Sequence, residues 1–186
     1  MLDVNDLVRR AQNGDLEAFS AIFYQFYTRI FRYVRSKTDN HHAAEDITGE
    51  VFLRMIDKLP AYRVTGAPFQ VWLFTVARHL VWESYRKSRG KSHLPLEQVD
   101  DLPHPQKDAL VAFEKQMTLE CVQQALNQLE PTQQEVVRLR FLAGMSLQEV
   151  ALTLDKSVAA VKALQHRGLE TLRSQLESHK DKKWIR

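Results

Sequence analysis

Three groups of side chains in this sequence have types and spacings suited to chemistry, and in each the chemistry is binding rather than bond-making. Asp46 and Glu50 stand four residues apart, a spacing that presents both carboxylates on one face of a helix. Arg78, Arg86, Lys87, Arg89 and Lys91 gather positive charge opposed locally only by Glu83, with Trp72, Phe74 and Trp82 in the same stretch. Cations meet phosphates and aromatic faces stack on unpaired bases, so this mixture suits single-stranded nucleic acid. A basic cluster at a helix C-terminus also complements the helix dipole, a purely structural use of the same residues. Near the C-terminus, Ser157, Lys162, His166 and Arg167 fall on one side of a helical pattern, and such short polar and basic groups suit phosphate and base-edge contacts.

Groups that would make a catalyst do not assemble in the same way. His41 and His42 lie near Glu45 and Asp46, but no third metal ligand follows at a recognisable spacing. No phosphate loop, nucleophile motif or glycine-rich fingerprint is present. The expectation is a protein that is not an enzyme, with no catalytic residue, no metal and no cofactor. The single cysteine, Cys121, excludes an internal disulfide and any zinc site built from cysteine pairs, and it fits a reducing compartment. No apolar run approaches the roughly 20 residues a spanning helix needs, and MLDVNDLVRR is too polar for a signal peptide. A cytoplasmic protein without membrane insertion is expected.

The elements that must position these groups read as helices throughout. With 44% hydrophobic and 26% charged residues, the chain of 186 can bury one moderate core or two small ones. Asp15 is placed to cap a helix whose apolar residues, Phe19, Ile22, Phe23, Phe26, Tyr27, Ile30 and Val34, recur at spacings of three and four. A second helix is predicted from about Ala43 to Leu59, stopped by Pro60, and a loop from Pro60 to Pro68 leads to a third over Phe69 to Arg89. From Ser88 to Gln106 periodicity lapses and three prolines appear, which reads as an interdomain linker. Helical pattern resumes from Asp108 to Leu129. The predicted fold class is therefore all-α, with two small helical domains over 1–90 and 108–180 joined by a flexible linker over 91–107.

The last third carries the clearest punctuation. Thr132 and Glu135 have capping-box spacing, Gly144 suits a helix C-terminus, and Ser146 and Glu149 form a second capping-box pattern. Asp155 sits in a tight turn where a left-handed residue is needed, and Ser157 is placed to cap a final helix. Helix, short turn and second helix together predict a helix-turn-helix, in which the first helix braces the second and the second enters the major groove. An ordinary antiparallel helix pair fits this pattern as well.

Three blocks in this order resemble an extracytoplasmic-function sigma factor of the sigma-70 family, the small two-domain class of bacterial RNA polymerase specificity subunits. AEDITGEVFLRMIDKL, Ala44 to Leu59, is similar to the family's polymerase-binding helix, usually A-E-D-hydrophobic-x-Q-E-x-F. FQVWLFTVARHLVWESYRKSR, Phe69 to Arg89, is similar to the helix usually written W-L-x-x-I-A-R-N with a D-x-x-R continuation. Leu126 to Arg173 is similar to the promoter-binding module almost throughout. The resemblance covers nearly the whole chain outside the linker. Gly49 departs from the usual Gln, His79 from Asn, Glu83 from Asp, Ala160 from Thr and Gly168 from Ala, the last read as harmless to close packing. At Gly49 the change costs roughly 1 kcal/mol of helix propensity.

The resemblance implies a division of labour. Asp46, Glu50 and Arg54 would meet core RNA polymerase at the clamp helices of its largest subunit, and the beta flap would be a further contact. Tyr62, Arg63 and Thr65 would hold a base flipped from the −10 element, while Phe69, Trp72, Arg78, His79, Arg86 and Lys87 line the path of the melted strand. Arg140, Lys156, Ser157, Lys162, His166 and Arg167 would bind the −35 element. Promoter DNA and an anti-sigma factor are the other implied partners. The alternative reading is a helix-turn-helix regulator that binds duplex DNA without acting as a polymerase subunit.

Overall fold

Asp3 accepts a hydrogen bond from the Asn5 N–H at 3.0 Å and so opens α1, Val4–Gln12, which buries Leu7, Val8 and Ala11. The computed structural model describes residues 3–38, 40–63, 67–89 and 122–183, with no account of the side chains of 88–89 and 178–183. Thr65, Lys91, the linker, Cys121 and the helix predicted from 108 as far as 121 lie outside the described residues. Gly14, at φ +85°, lets the chain turn sharply after α1, and Asp15 then caps α2, Leu16–Arg35, through the N–H groups of Glu17 and Ala18. One face of α2 buries Ala18, Ile22, Phe26, Ile30, Tyr33 and Val34, close to the stripe read from the sequence.

Asn40 caps α3, His41–Lys58, by accepting from the Ala43 N–H at 2.7 Å. The helix thus starts two residues earlier than the sequence predicts, at His41 rather than Ala43. Pro60 lies in a 3-10 turn, Leu59–Ala61, and α4 follows over Phe69–Arg89. Pairs α1 with α2, α2 with α3, α3 with α4 and α2 with α4 pack around one apolar centre that includes Phe26, Tyr33, Val51, Met55, Phe69, Leu73 and Phe74.

Further along, α5, Pro131–Val137, has Pro131 at its first position, where the missing N–H is not needed. Glu130 is the cap: its carboxylate accepts from the Gln133 N–H at 3.1 Å and the Thr132 hydroxyl at 3.0 Å. The expected Thr132–Glu135 box is therefore replaced by a cap two residues earlier, and Glu135 is buried instead. A π-helical turn, Arg138–Leu142, continues α5 to Gly144, at φ +66°. The capping box of Ser146 and Glu149 opens α6, Leu147–Leu154; Asp155 takes the left-handed conformation at φ 52°, ψ 53°. Ser157 Oγ accepts from the Ala160 N–H at 3.1 Å and starts α7, Val158–Lys183.

By their contacts the residues group into two units, one formed by 1–91 with Arg138–Lys162 and the other by 92–137 with 163–186. In the first, α6 packs on α4 and the π-helical turn on α2. In the second, Leu126, Leu129 and Val137 form a small core with Leu172 packed against it. A Cβ at Gly168 would come within 3.1 Å of Val137 Cγ2 and 3.5 Å of Gln133 Cβ. An alanine there would require Val137 to give way slightly, so Gly168 is what lets these segments approach so closely. Among the described residues no helix is long and apolar enough to cross a membrane.

Candidate nucleic-acid interface

At 3.6 residues per turn, Asp46, Gly49, Glu50, Leu53 and Asp57 share one arc of α3. Asp46, Gly49, Leu53 and Asp57 are exposed and Glu50 is half-buried. Leu53 is 59% exposed and Ile56, at the edge of the arc, 49%. Large apolar side chains held in water beside carboxylates fit a partner surface. Sequence reasoning missed both, although their offset from the core stripe of Ile47, Val51, Met55 and Leu59 was a signal.

Arg54 is less a free cation than a bridge. Its Nε lies 3.1 Å from Glu50 Oε1, and its Nη2 lies 3.3 Å from Glu83 Oε2 on α4. His79 Nδ1 sits 3.6 Å from the other Glu83 oxygen. Glu83 thereby ties the helix with the outward carboxylates to the helix with the basic end. His41 and His42 both lie against Glu45, at 3.2 and 3.5 Å, and among the described residues no group could hold a metal ion.

The aromatic residues of α4 divide along its length. Phe69 is 1% exposed and packs on Phe26, Tyr62 and Trp72, with ring centroids 5.9, 5.5 and 5.4 Å away. It is core, a correction to its expected place on the strand path, because the apolar N-terminal half of α4 packs against α2 and α3. Phe74 is fully buried against Tyr33. Trp72 is half-buried, with the Tyr62 ring 5.2 Å from it. Trp82 and Tyr85 are each 55% exposed, and the Arg86 guanidinium stands 4.6 Å from the Trp82 centroid. Tyr85 was not among the expected contacts. Arg86, Lys87 and His79 are exposed, whereas Arg78 Nη1 donates to the Thr153 carbonyl at 2.8 Å and so is engaged within the protein.

Where the chain leaves α3, the side chain of Gln12 takes hold of it. Its Nε2 donates to the carbonyl oxygens of Leu59, at 2.9 Å, and Tyr62, at 2.7 Å. Burial raises the Tyr62 phenol above its ordinary pKa. Arg63 is exposed.

The turn before α6 is held by Arg29. Its Nε donates to the Ala143 carbonyl at 2.6 Å, and its Nη2 to the Gly144 carbonyl at 3.3 Å and to Gln70 Oε1 at 2.9 Å. Gln70 in turn donates to Glu149. Burial lowers the Arg29 guanidinium from its ordinary value, and the nearby Glu149 charge works against that shift. In the helix-turn-helix, Lys156, Ser157 and Lys162 are exposed in the first unit. His166 and Arg167 are exposed in the second, with His166 3.1 Å from Glu170. Arg140 is half-buried and donates to the Met145 carbonyl, so it braces the turn.

Comparison with known proteins matches residues 22–91 to the family model described as Sigma-70 region 2, and residues 119–172 to Sigma-70, region 4. The extracytoplasmic-function (ECF) RNA polymerase sigma factor BldN of Streptomyces coelicolor is 32% identical over 90% of this chain. The chain spans only 63% of that relative's length. ShbA of Streptomyces griseus, another ECF sigma factor, is 29% identical over 94% of this chain and 95% of its own. Among solved structures, CnrH in complex with the cytosolic domain of CnrY is similar with a TM-score of 0.73, at 21% identity over 95% of this chain and 99% of that one. RpoE of Bartonella quintana, solved with the anti-sigma factor NepR, has a TM-score of 0.65 at 21% identity, covering 86% of this chain and 96% of that one. These two likenesses bear out the all-α fold.

Proposed function

The chain belongs to the extracytoplasmic-function group of the sigma-70 family of RNA polymerase sigma factors, and from that premise we propose that it binds core RNA polymerase and directs it to a specific set of promoters. The observation that carries this reading is the pairing of two outward surfaces on adjacent helices. α3 presents Asp46, Glu50, Leu53 and Ile56, and α4 presents Trp82, Tyr85, Arg86 and Lys87. The first surface docks on the clamp helices of the largest subunit, where carboxylates meet basic groups and the two apolar side chains leave water. The second receives the strand that melts at the −10 element. Exposed rings stack on unpaired bases without regard to sequence, while Arg86 and Lys87 neutralise phosphates. Tyr62 and Arg63 hold the base extruded at the edge of the melted segment, and unstacking selects bases that leave the helix readily.

Residues 1–90 supply these functions, 91–107 link, and 108–180 dock against the beta flap and bind the −35 element. Lys156, Ser157, Lys162, His166 and Arg167 provide the groove contacts. The protein works in the cytoplasm as a non-catalytic subunit, and an anti-sigma factor is a further partner, as NepR is for the Bartonella quintana RpoE. Transcription in vitro with purified core polymerase on a pool of genomic promoters tests the reading. New, defined start sites that appear only with the protein support it. No complex with core and no new start sites, combined with stable binding to duplex DNA by the protein alone, favours a helix-turn-helix regulator instead.

A further inference from the structure

Gln12 lies ahead of residues 22–91, the span matched to region 2, and no motif marks it in the sequence. It is the last residue of α1, yet its carboxamide reaches across to the segment that follows α3. Both N–H bonds of Nε2 are used, one on the Leu59 carbonyl and one on the Tyr62 carbonyl. Leu59 is fully buried and therefore fixed by the core. Tyr62 has left the 3-10 turn for an extended conformation, φ −66° and ψ 132°, and its backbone N–H bonds back to Leu59. Its ring lies against Phe69 and Trp72 at the start of α4. Tyr62 is thus gripped twice, at its carbonyl by α1 and at its ring by α4. The direction in which Arg63 departs follows from those two grips.

We propose that Gln12 is a positioning residue for promoter reading, whose two hydrogen bonds set the placement of Tyr62 and Arg63 against the −10 base. The proposal rests on the reading that Tyr62 and Arg63 contact that base. Removing the donor frees the Tyr62 carbonyl and leaves ring packing and the Tyr62 N–H bond to the Leu59 carbonyl to hold the segment, so the residues still bind DNA but cease to discriminate among bases.

The test uses the full chain with core polymerase on the protein's own promoter and on a panel of single-base replacements across the −10 element. Gln12→Glu keeps the shape but, when ionised, offers no donor and sets a charge against two carbonyl oxygens. Gln12→Met keeps the length without charge and serves if Gln12→Glu fails to fold. The expected result is a loss of discrimination by about tenfold at one or more −10 positions, the size of one or two ordinary hydrogen bonds. Affinity for core polymerase should stay within about twofold, since nothing on the outward face of α3 changes. A general weakening with the base pattern intact would reduce Gln12 to a structural staple and overturn the proposal. Tyr62→Ala, measured alongside, separates the two ideas. If Tyr62→Ala alters the base pattern and neither Gln12 variant does, the proposal alone fails; if Tyr62→Ala also leaves it unchanged, the −10 reading of this segment fails first.

Discussion

Arg29 and Ala143 stand 114 positions apart in the chain, yet Arg29 Nε donates to the Ala143 carbonyl at 2.6 Å. The same guanidinium bonds the Gly144 carbonyl and Gln70, so one side chain ties α2, α4 and the turn before α6. Gly144 occupies a left-handed conformation, at φ +66°, which glycine adopts without strain. Arg29→Ala leaves two carbonyls without their donor and should lower unfolding free energy by about 1–3 kcal/mol. Arg29→Lys keeps the charge but cannot fork to three acceptors, so it should recover only part of that loss. Urea unfolding of the three proteins measures both.

Gly49 is exposed in α3, and a Cβ built on it meets nothing within 4 Å. Neither space nor backbone conformation requires glycine there. Gly49→Gln should therefore stabilise the protein by about 0.5–1 kcal/mol through helix propensity alone. It should also strengthen association with core polymerase, because the added amide joins the arc of Asp46, Glu50 and Leu53. A thermal melt and a binding titration against core check the two effects separately.

The features legible in the sequence were those whose signals are local. Asp15, the Ser146–Glu149 box, Asp155 and Ser157 each act within about four residues of themselves, and each stands where its neighbours predicted. The Thr132–Glu135 box failed because Pro131 takes the first helical position and moves the cap to Glu130. Arg29 and Gln12 were invisible, since their partners lie 114 and about 50 residues away and no spacing rule links them. The aromatics of α4 were legible as a group but not singly. Which rings are buried depends on how far α2 and α3 extend over α4, and that is a property of packing.

Asp15 is held below its ordinary carboxylate pKa, chiefly by its hydrogen bond from Arg10 and then by the backbone N–H of Ala18. A depressed folded-state pKa gives stability that is present above the unfolded value, near 3.8, and is lost as pH falls through the folded one. Asp15→Asn retains a good cap but lacks the titrating charge. The variant should be less stable than the parent at neutral pH, and the difference should vanish in strong acid. Unfolding midpoints at pH 7 and near pH 2 give the comparison; a gap that persists in acid would assign the effect to the cap rather than the charge.

Asp46 offers the cleanest test of the outward face of α3. Glu50 is also bonded to Arg54, so a change there disturbs the link to Glu83 as well as any partner. Asp46→Arg reverses charge at an exposed site and should weaken association with core polymerase at least about tenfold, the range expected for like charges brought together at an interface. Its melting temperature should match the parent's. Undiminished association would move the interface to another face of the helix. The double change with Glu50→Arg should weaken association further while the fold survives.

The division of α4 into a buried and an exposed half predicts opposite behaviour for substitutions of the same kind. Phe69→Ala and Phe74→Ala empty core positions and should each destabilise by about 3–5 kcal/mol. Trp82→Ala and Tyr85→Ala remove rings that are 55% exposed and should change stability little. Their loss should appear instead in strand capture, at about 1–3 kcal/mol for each base that stacks on a ring. Two templates separate melting from capture. On a duplex promoter both variants should be slow to form open complexes. On a template with a pre-melted −10 segment, affinity should still fall, because stacking is lost whether or not the strands were already apart. Full recovery on the pre-melted template would mean that the rings help to open the duplex but do not hold the strand.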